Sequence, residues 1–340
     1  MSALIAMEEA QLAALVKECG QPPFRAKQLR EYALKGTPVE GMSSLPKSMR
    51  DLLVAKGVTA LAATVVQSKT SAIDGTTKFL FAFGDGNVVE GVLMKYEYGN
   101  SVCVSTQVGC AMGCKFCAST LDGKVRDLTA AEMLSEVIAA GSAAGGVNHV
   151  VLMGSGEPLD NYGEVTEFIR RLCVDLGMSK RHIALSTCGL CEAMDRLSKE
   201  EYAPVLTVSL HAPNDELRKR IMPIANRYPV KDVVAAAKRY FDSTSRRVIF
   251  EYSLIDGFND TPECAKELAA LVKGFPCHIN LIRLNPVKER GLAGSSKAAV
   301  AAFSDALTGY GVSNTVRRTL GADIDGACGQ LRRKFLGGEK

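Results

Sequence analysis

From residue 100 onward the chain alternates short apolar runs with longer stretches of helical periodicity. The apolar runs, at 101–106, 147–153, 181–186, 204–210, 247–254, 276–283 and 312–317, are rich in Val, Ile, Leu and Phe and have the length of strands. Helical patterns of roughly 10–15 residues separate most of them, as crossovers between parallel strands require. Six such units with a seventh terminal strand predict an α/β fold, a partial (β/α)6 barrel rather than an open doubly wound sheet. No G-x-G-x-x-G follows the first strand, which argues against a dinucleotide fold. Upstream the pattern differs. Residues 1–60 read as short helices, opening on an amphipathic stretch that carries Glu8, Glu9, Lys17 and Glu18. Residues 61–98 switch to β-branched and aromatic runs at 64–66, 78–83 and 88–94. Gly84-Asp85-Gly86 is the hairpin signal between the last two. The predicted organisation is a small N-terminal accessory region, residues 1–90, followed by a larger domain, residues 91–340.

Composition narrows the class. The chain has 340 residues, 47% of them hydrophobic and 23% charged, as in ordinary globular proteins. The N-terminus lacks the basic segment of a signal peptide. The longest weakly polar run, 137–156, is broken by several glycines, Asn148 and His149. A cytoplasmic protein without membrane association is expected. Eleven cysteines without a secretion signal point to metal or thiol chemistry rather than a disulfide framework. The net charge of +4 is a weak hint of a polyanionic partner, and local density is a stronger one. Residues 218–247 carry Arg218, Lys219, Arg220, Arg227, Lys231, Lys238, Arg239, Arg246 and Arg247 against Asp232 and Asp242. The C-terminal part adds Arg317, Arg318, Arg332, Arg333 and Lys334. Such clusters suit phosphate contacts or solvated helix faces equally well.

The chemistry concentrates in Gly109-Cys110-Ala111-Met112-Gly113-Cys114-Lys115-Phe116-Cys117, a C-x3-C-x2-C spacing. Three thiolates can hold three irons of a [4Fe–4S] cluster and leave the fourth open to a chelating molecule. Zinc is the alternative tenant of such a triad. In parallel α/β folds the active site lies at the C-terminal ends of the strands. The cysteines follow the first strand, and Gly154-Ser155-Gly156-Glu157-Pro158 follows the second. Ser186-Thr187 and Ser209-Leu210-His211 end the next two, and Asn285-Pro286 follows 276–283. Polar residues thus stand where the strands open onto one mouth.

These residues make the chain resemble the radical S-adenosylmethionine (radical SAM) superfamily. Within it, five segments resemble the bacterial dual-specificity RNA adenine-C2 methyltransferase family. They are Cys103-Val-Ser-Thr-Gln-Val-Gly-Cys110, Met153-Gly-Ser-Gly-Glu157-Pro-Leu, Ser209-Leu-His211-Ala-Pro, Asn280-Leu-Ile and Asp323-Ile-Asp-Gly-Ala-Cys328-Gly-Gln-Leu. The accessory region resembles the family more loosely, through Phe24-Arg25-Ala26-Lys27-Gln28. The resemblance implies methylation of carbon 2 of adenine in 23S rRNA (adenosine 2503) and in tRNA (adenosine 37). It implies a [4Fe–4S] cluster on Cys110, Cys114 and Cys117. It implies S-adenosylmethionine held by Gly156, Glu157, Ser186, Ser209, Leu210, His211 and Asn285, with Glu157 accepting from the methionine ammonium. Partners implied are 23S rRNA, tRNA and an electron donor such as flavodoxin or ferredoxin, with RNA contacts from the accessory region.

The implied mechanism answers a chemical difficulty, because carbon 2 is electron-poor and cannot attack a sulfonium methyl directly. Cys328 would take a methyl group by displacement, as a thiolate can. A 5′-deoxyadenosyl radical would then remove hydrogen from that S-methyl group, and the methylene radical would add to carbon 2. Glu90 would accept the proton at carbon 2. Cys103 would release the product by forming a disulfide with Cys328.

Taken without the family, each residue has a plainer reading. Cys103 is a buried strand cysteine, Glu157 a turn residue, Glu90 a surface glutamate and His211 a structural histidine. Cys188 and Cys191 form a C-x2-C without a second pair, and are read as non-functional with Cys19, Cys173, Cys264 and Cys277. Asn259-Asp260 and Met222-Pro223 read as turns. Ser155 stands where the family commonly has methionine, a change expected to leave Glu157 in place. The rival functions are the sister enzyme that methylates carbon 8 of the same ribosomal adenine and a non-enzymatic metal-containing RNA-binding protein.

Overall fold

The computed structural model describes residues 2–324. Three helices come first, α1 (Glu9–Glu18), α2 (Arg25–Leu34) and α3 (Lys47–Ala55). A two-residue parallel pair, β1 (Ser2–Ala3) with β2 (Val58–Thr59), ties their ends together. Three antiparallel strands follow, β3 (Ala63–Thr70), β4 (Thr77–Phe83) and β5 (Val88–Tyr96). The β4–β5 turn lies at the Gly-Asp-Gly signal.

The barrel strands are β6 (Gly99–Cys103), β9 (His149–Leu152), β10 (Ile183–Thr187), β11 (Val205–Ser209), β12 (Val248–Leu254), β13 (Cys277–Arg283) and β14 (Asn314–Val316), each inside or within two residues of an apolar run. A short hairpin, β7 (Gln107–Gly109) and β8 (Lys124–Asp127), stands between the first two. The connecting helices are α4 (Ala130–Ser142), α5 (Tyr162–Val174), α6 (Cys191–Leu197), α7 (Asp215–Ile221), α8 (Val230–Thr244), α9 (Pro262–Leu271) and α10 (Lys297–Gly309). α4 starts on a capping box, Thr129 and Glu132 satisfying each other's backbone amides. All seven strands pair in parallel and in chain order. Because each new strand adds on the same side, right-handed crossovers put every helix on one face and the sheet curls around the other. β14 and β3 are the two edges, so the barrel is partial.

One difference from the sequence reading concerns the accessory region. β5 pairs with β6, so β3, β4 and β5 extend the barrel sheet to ten strands. The expected division into 1–90 and 91–340 therefore falls inside β5, where a hydrogen-bonded ladder crosses it. The core crosses it too. One apolar cluster runs from Leu12, Leu29 and Leu53 through Leu134 and Val137 of α4 into Val102, Val150, Leu185 and Val208 of the sheet. Alternation along the strands sends those residues to the helices and turns Ser186 and Ser209 toward the concave face. No helix among the described residues is long and apolar enough to cross a membrane.

Candidate active site

The triad occupies the loop closed by β7 and β8. Gly109 has φ +78°, and a Cβ there would lie 1.9 Å from the Gly123 carbonyl oxygen, so only glycine lets the two strands close. The Cys110 amide donates to the same oxygen at 3.0 Å. The Thr120 hydroxyl donates to the carbonyls of Cys114 (2.9 Å) and Cys117 (3.0 Å), which folds the loop back on itself. The Lys115 amide reaches the Ile221 carbonyl (2.8 Å) and fastens the loop to the end of α7.

The second strand end is seated against the first. The Ser155 carbonyl accepts from the amides of Thr106 (2.8 Å) and Gln107 (3.1 Å), so serine at this place leaves the turn intact. Gly156 has φ +111°, and a Cβ would meet Thr106 and Gln107 at 2.7 Å. The Glu157 amide donates to Gln107 Oε1 at 2.9 Å. The Glu157 carboxylate, 3% exposed, accepts from the Leu159 amide (3.0 Å) and the Cys188 amide (2.7 Å). Burial nevertheless holds its pKa above the ordinary value. Both oxygens are thus already engaged by the chain, and hydrogen bonds from the Thr187 and Cys188 side chains also lower its pKa.

His211 sits at φ +57° and is held there from both sides. Its carbonyl accepts from Asn259 Nδ2 (2.8 Å), and its Nδ1 accepts from the Ser253 amide (3.0 Å). The proton therefore lies on Nε2. Burial, then the Arg218 charge, pushes its pKa down to about 3, so the ring is neutral. Its ring meets Phe116 of the cysteine loop edge-to-face at 4.8 Å. Ser186 and Ser209 hydroxyls stand 3.3 Å apart.

Cys110, Cys114, Cys117, Gly156, Glu157, Ser186, Ser209, His211 and Asn285 all line one cavity of about 310 Å³, within the usual size range for a small-molecule site. Leu210 is the exception. Its side chain is fully buried in the apolar core, and only its main chain takes part, the amide donating to the Glu251 carbonyl at 3.1 Å. A second cavity of about 430 Å³ holds Cys103 and shares Met153, Ile282, Asn285 and Arg317 with the first. Glu90 is not a surface glutamate: it is 7% exposed and paired at 3.1 Å with Lys78, which is fully buried. Antiparallel register sets Val92 opposite Cys103, and Glu90 lies on the same strand face two residues away. Cys328 lies outside the described residues.

Four contributors were missed by sequence reasoning. Arg218, counted above in a basic cluster, is fully buried. It donates to the carbonyls of Leu210 (3.0 Å), Cys188 (2.6 Å), Ser209 (3.3 Å) and Tyr228 (3.2 Å), so it braces the strand ends rather than facing phosphate. The same cluster is thinned further by ion pairs of Arg239 with Asp195 and Lys238 with Asp242. Asn259, read as a turn residue, is the buried latch on His211. Lys78 partners Glu90. Glu251 accepts from Asn280 Nδ2 at 3.0 Å, while its Oε2 is buried without a hydrogen bond, 3.6 Å from Arg317.

The donor set fits an iron–sulfur cluster and a polar cofactor. Burial pushes the Cys110 thiol up to about 12 and raises Cys114 as well, and each thiolate opposes the others. Three such thiols ionise together only beside positive charge, which cluster iron supplies. No three His, Cys, Asp or Glu side chains among the described residues gather tightly enough for one metal ion. The triad offers three separate attachment points instead. Glu251 on the cavity wall, ion-paired with Arg317 at 3.6 Å, can also accept from a ligand with donor groups.

A sequential parallel barrel with three cysteines after its first strand and polar strand ends beside them defines a radical SAM protein. The profile of that superfamily matches residues 104–270. A radical SAM methyltransferase structure from Sphaerobacter thermophilus superposes with a TM-score of 0.90 at 40% identity, over 97% of this chain and 99% of that one. The curated relative "Probable dual-specificity RNA methyltransferase RlmN" of Clostridium perfringens (strain SM101 / Type A) is 47% identical over 94% of each chain. Its namesake from Clostridium acetobutylicum is 45% identical over 99% of this chain and 98% of its own length. The chain belongs to the RlmN family of dual-specificity RNA methyltransferases.

Proposed function

We propose that this chain methylates carbon 2 of adenine in 23S rRNA and in tRNA, in the cytoplasm, drawing electrons from a flavodoxin or ferredoxin. The observation that carries the proposal is the placement of Cys103. Its strand turns it toward the concave face, into a cavity that adjoins the triad's own. Cys188 also lines the cofactor cavity but beside Glu157, whereas the Cys103 thiol stands in the adjoining cavity, where it suits a reaction that passes through a protein-bound methyl group.

Cys110, Cys114 and Cys117 hold the cluster, and Gly156, Glu157, Ser186, Ser209, His211 and Asn285, with the main chain of Leu210, hold S-adenosylmethionine. Bound there, the cluster would supply the electron for reductive cleavage of the sulfonium. Neutral His211 fits a cavity that would hold a cationic sulfonium, because a protonated imidazole on its wall would repel that charge. The Cys328 thiolate takes a methyl group by displacement at the sulfonium carbon. Once the S-methyl carbon, having lost one hydrogen atom, has bonded to carbon 2 and the adduct has returned its odd electron to the oxidised cluster, Glu90, buried beside Lys78, accepts the proton from carbon 2. The Cys103 thiol then attacks the Cys328 sulfur that links protein to base. The new S–S bond forms as the carbon–sulfur bond breaks, and the methylene left on the adenine takes up a proton, balancing the one the Cys103 thiol gives up, to become the methyl group. The target base has to leave its stack to reach this depth.

Nucleoside mass spectrometry tests the proposal. Protein reconstituted with iron and sulfide is incubated under reduction with S-adenosylmethionine and either a 23S rRNA fragment or tRNA, and the RNA is digested. Formation of 2-methyladenosine in both is expected. Only 8-methyladenosine would identify the sister reaction, and no methylated adenosine with no 5′-deoxyadenosine would remove the enzyme reading.

A further inference from the structure

The cavity of about 430 Å³ that holds Cys103 is lined by charge of one sign. Arg283, Arg317 and Arg318 face it, and none of its described lining residues is Asp or Glu. The three arginines are unequally engaged. Arg317 is ion-paired with Glu251 at 3.6 Å, on the cofactor side. Arg283 is exposed and held by one bond, its Nε donating to the Ser295 carbonyl at 2.8 Å. Arg318 is exposed and makes no hydrogen bond or ion pair with another described residue. The same wall ends on an aromatic lip. Strand alternation puts Val92, Met94 and Tyr96 of β5 on the face that carries Cys103. Tyr98, in the turn to β6, stacks on Tyr96 with ring centroids 4.8 Å apart and planes 9° from parallel. His149 meets Tyr98 edge-to-face at 5.2 Å, so the ring is fixed, yet it is 65% exposed. Its phenol lies within electrostatic reach of Arg317 and Arg318. A fixed, exposed ring at the rim of a cation-lined cavity can stack a nucleobase while the cations hold its phosphates.

We propose that this cavity and its Tyr98 lip form the RNA-docking surface: Arg283 and Arg318 take phosphates flanking the extruded adenosine, and Tyr98 receives the face of a neighbouring unpaired base. The inference rests on the proposed RNA methylation and says where the substrate's backbone lies. Guanidinium suits phosphate because its planar fork can donate two parallel hydrogen bonds. The basic run 218–247, the stronger candidate by residue count, contributes nothing to this cavity. Neither kind of contact reads a base edge. Phosphates carry no sequence information, and every base has a face that stacks. Such a surface serves two RNAs whose sequences differ around the target, as long as the nucleotides there are unpaired.

The test is fluorescence anisotropy of the cluster-loaded full chain with an end-labelled 23S rRNA fragment, single-stranded around the target adenosine, over a range of salt concentrations. The slope of log Kd against log salt counts the phosphates neutralised, and each contact to a single strand is worth about 0.7 of slope. Arg283→Gln/Arg318→Gln is expected to lower the slope by about 1.4 and to raise Kd about tenfold near physiological salt. Arg318→Gln alone breaks no bond to a described residue, so it should leave the fold intact and lower the slope by about 0.7. Tyr98→Ala is expected to raise Kd at least about fivefold at every salt concentration with the slope unchanged, and Tyr98→Phe to restore it. The fragment annealed to its complement should bind Tyr98→Ala and wild type alike. Iron content and S-adenosylmethionine affinity should hold throughout. Unchanged Kd and slope in Arg318→Gln and Tyr98→Ala would overturn the docking surface, as would a loss confined to S-adenosylmethionine affinity. If the wild type bound RNA with these dependences but formed no 2-methyladenosine, the surface would stand and the proposed reaction would fail.

Discussion

His211 and Arg218 show how much of the site depends on single side chains that never meet the chemistry as ions. His211 is neutral at pH 7 because burial pushes its pKa down to about 3, against about 6.5 in the unfolded chain. Between those values only the unfolded state binds the proton, so the stability due to neutral His211 is complete above pH 6.5 and is lost as pH falls toward 3. Urea unfolding of the wild type and His211→Asn at pH 7 and pH 5 should show their stability gap closing by about 2 kcal/mol on acidification. A pH-independent gap would refute neutral burial. Arg218 serves four buried carbonyls at once, each costing about 1–3 kcal/mol when left bare. Arg218→Leu is expected to lose more than about 3 kcal/mol in the same assay, and Arg218→Lys to recover little, since one ammonium lacks the planar fork. A near-neutral Arg218→Leu would mean those carbonyls find water instead.

At the scale of elements, the barrel strands and the cysteine loop were legible because both obey local rules. Apolar runs bounded by turn residues mark parallel strands, and the strand-end rule then locates the mouth. What local rules miss is long-range pairing. Nothing in the run 88–94 says that its strand will join the barrel sheet, because that depends on β6 offering a free edge. Nor does the spacing around Arg218 announce a buried brace, since a run of basic residues on a short helix usually faces water. Lys78 was hidden likewise, an ordinary lysine in an aromatic strand until β5 brings Glu90 beside it. The loop itself makes a sharp claim. Gly109→Ala places a methyl group 1.9 Å from the Gly123 oxygen, so β7 and β8 cannot close as they do. The variant should fold with its circular dichroism unchanged yet bind less than half the wild-type iron on reconstitution. Full iron loading would show that the hairpin does not shape the cluster loop.

The whole molecule brings distant pieces of chain to one concave face. Helices from the first 60 residues share the core of α4, and the hairpin after them extends the sheet whose inner surface carries Cys103. The segment after β14 is fastened to the turn of that hairpin. The region expected to be accessory thus forms part of the wall where the reaction is proposed to occur. Among eleven cysteines, the resemblance of two segments singled out Cys103 and Cys328, whereas composition and spacing alone did not. The fold sets Cys103 on the lumen side, and residues 317–322 line the same cavity. The central claim is a covalent protein–RNA intermediate resolved by Cys103. Its most direct test is Cys103→Ala purified from cells under denaturing conditions, with bound nucleic acid measured by absorbance and nuclease mass spectrometry. RNA should remain covalently attached, linked through Cys328, and Cys103→Ala/Cys328→Ala should carry none. RNA-free Cys103→Ala protein with normal iron content would contradict the account.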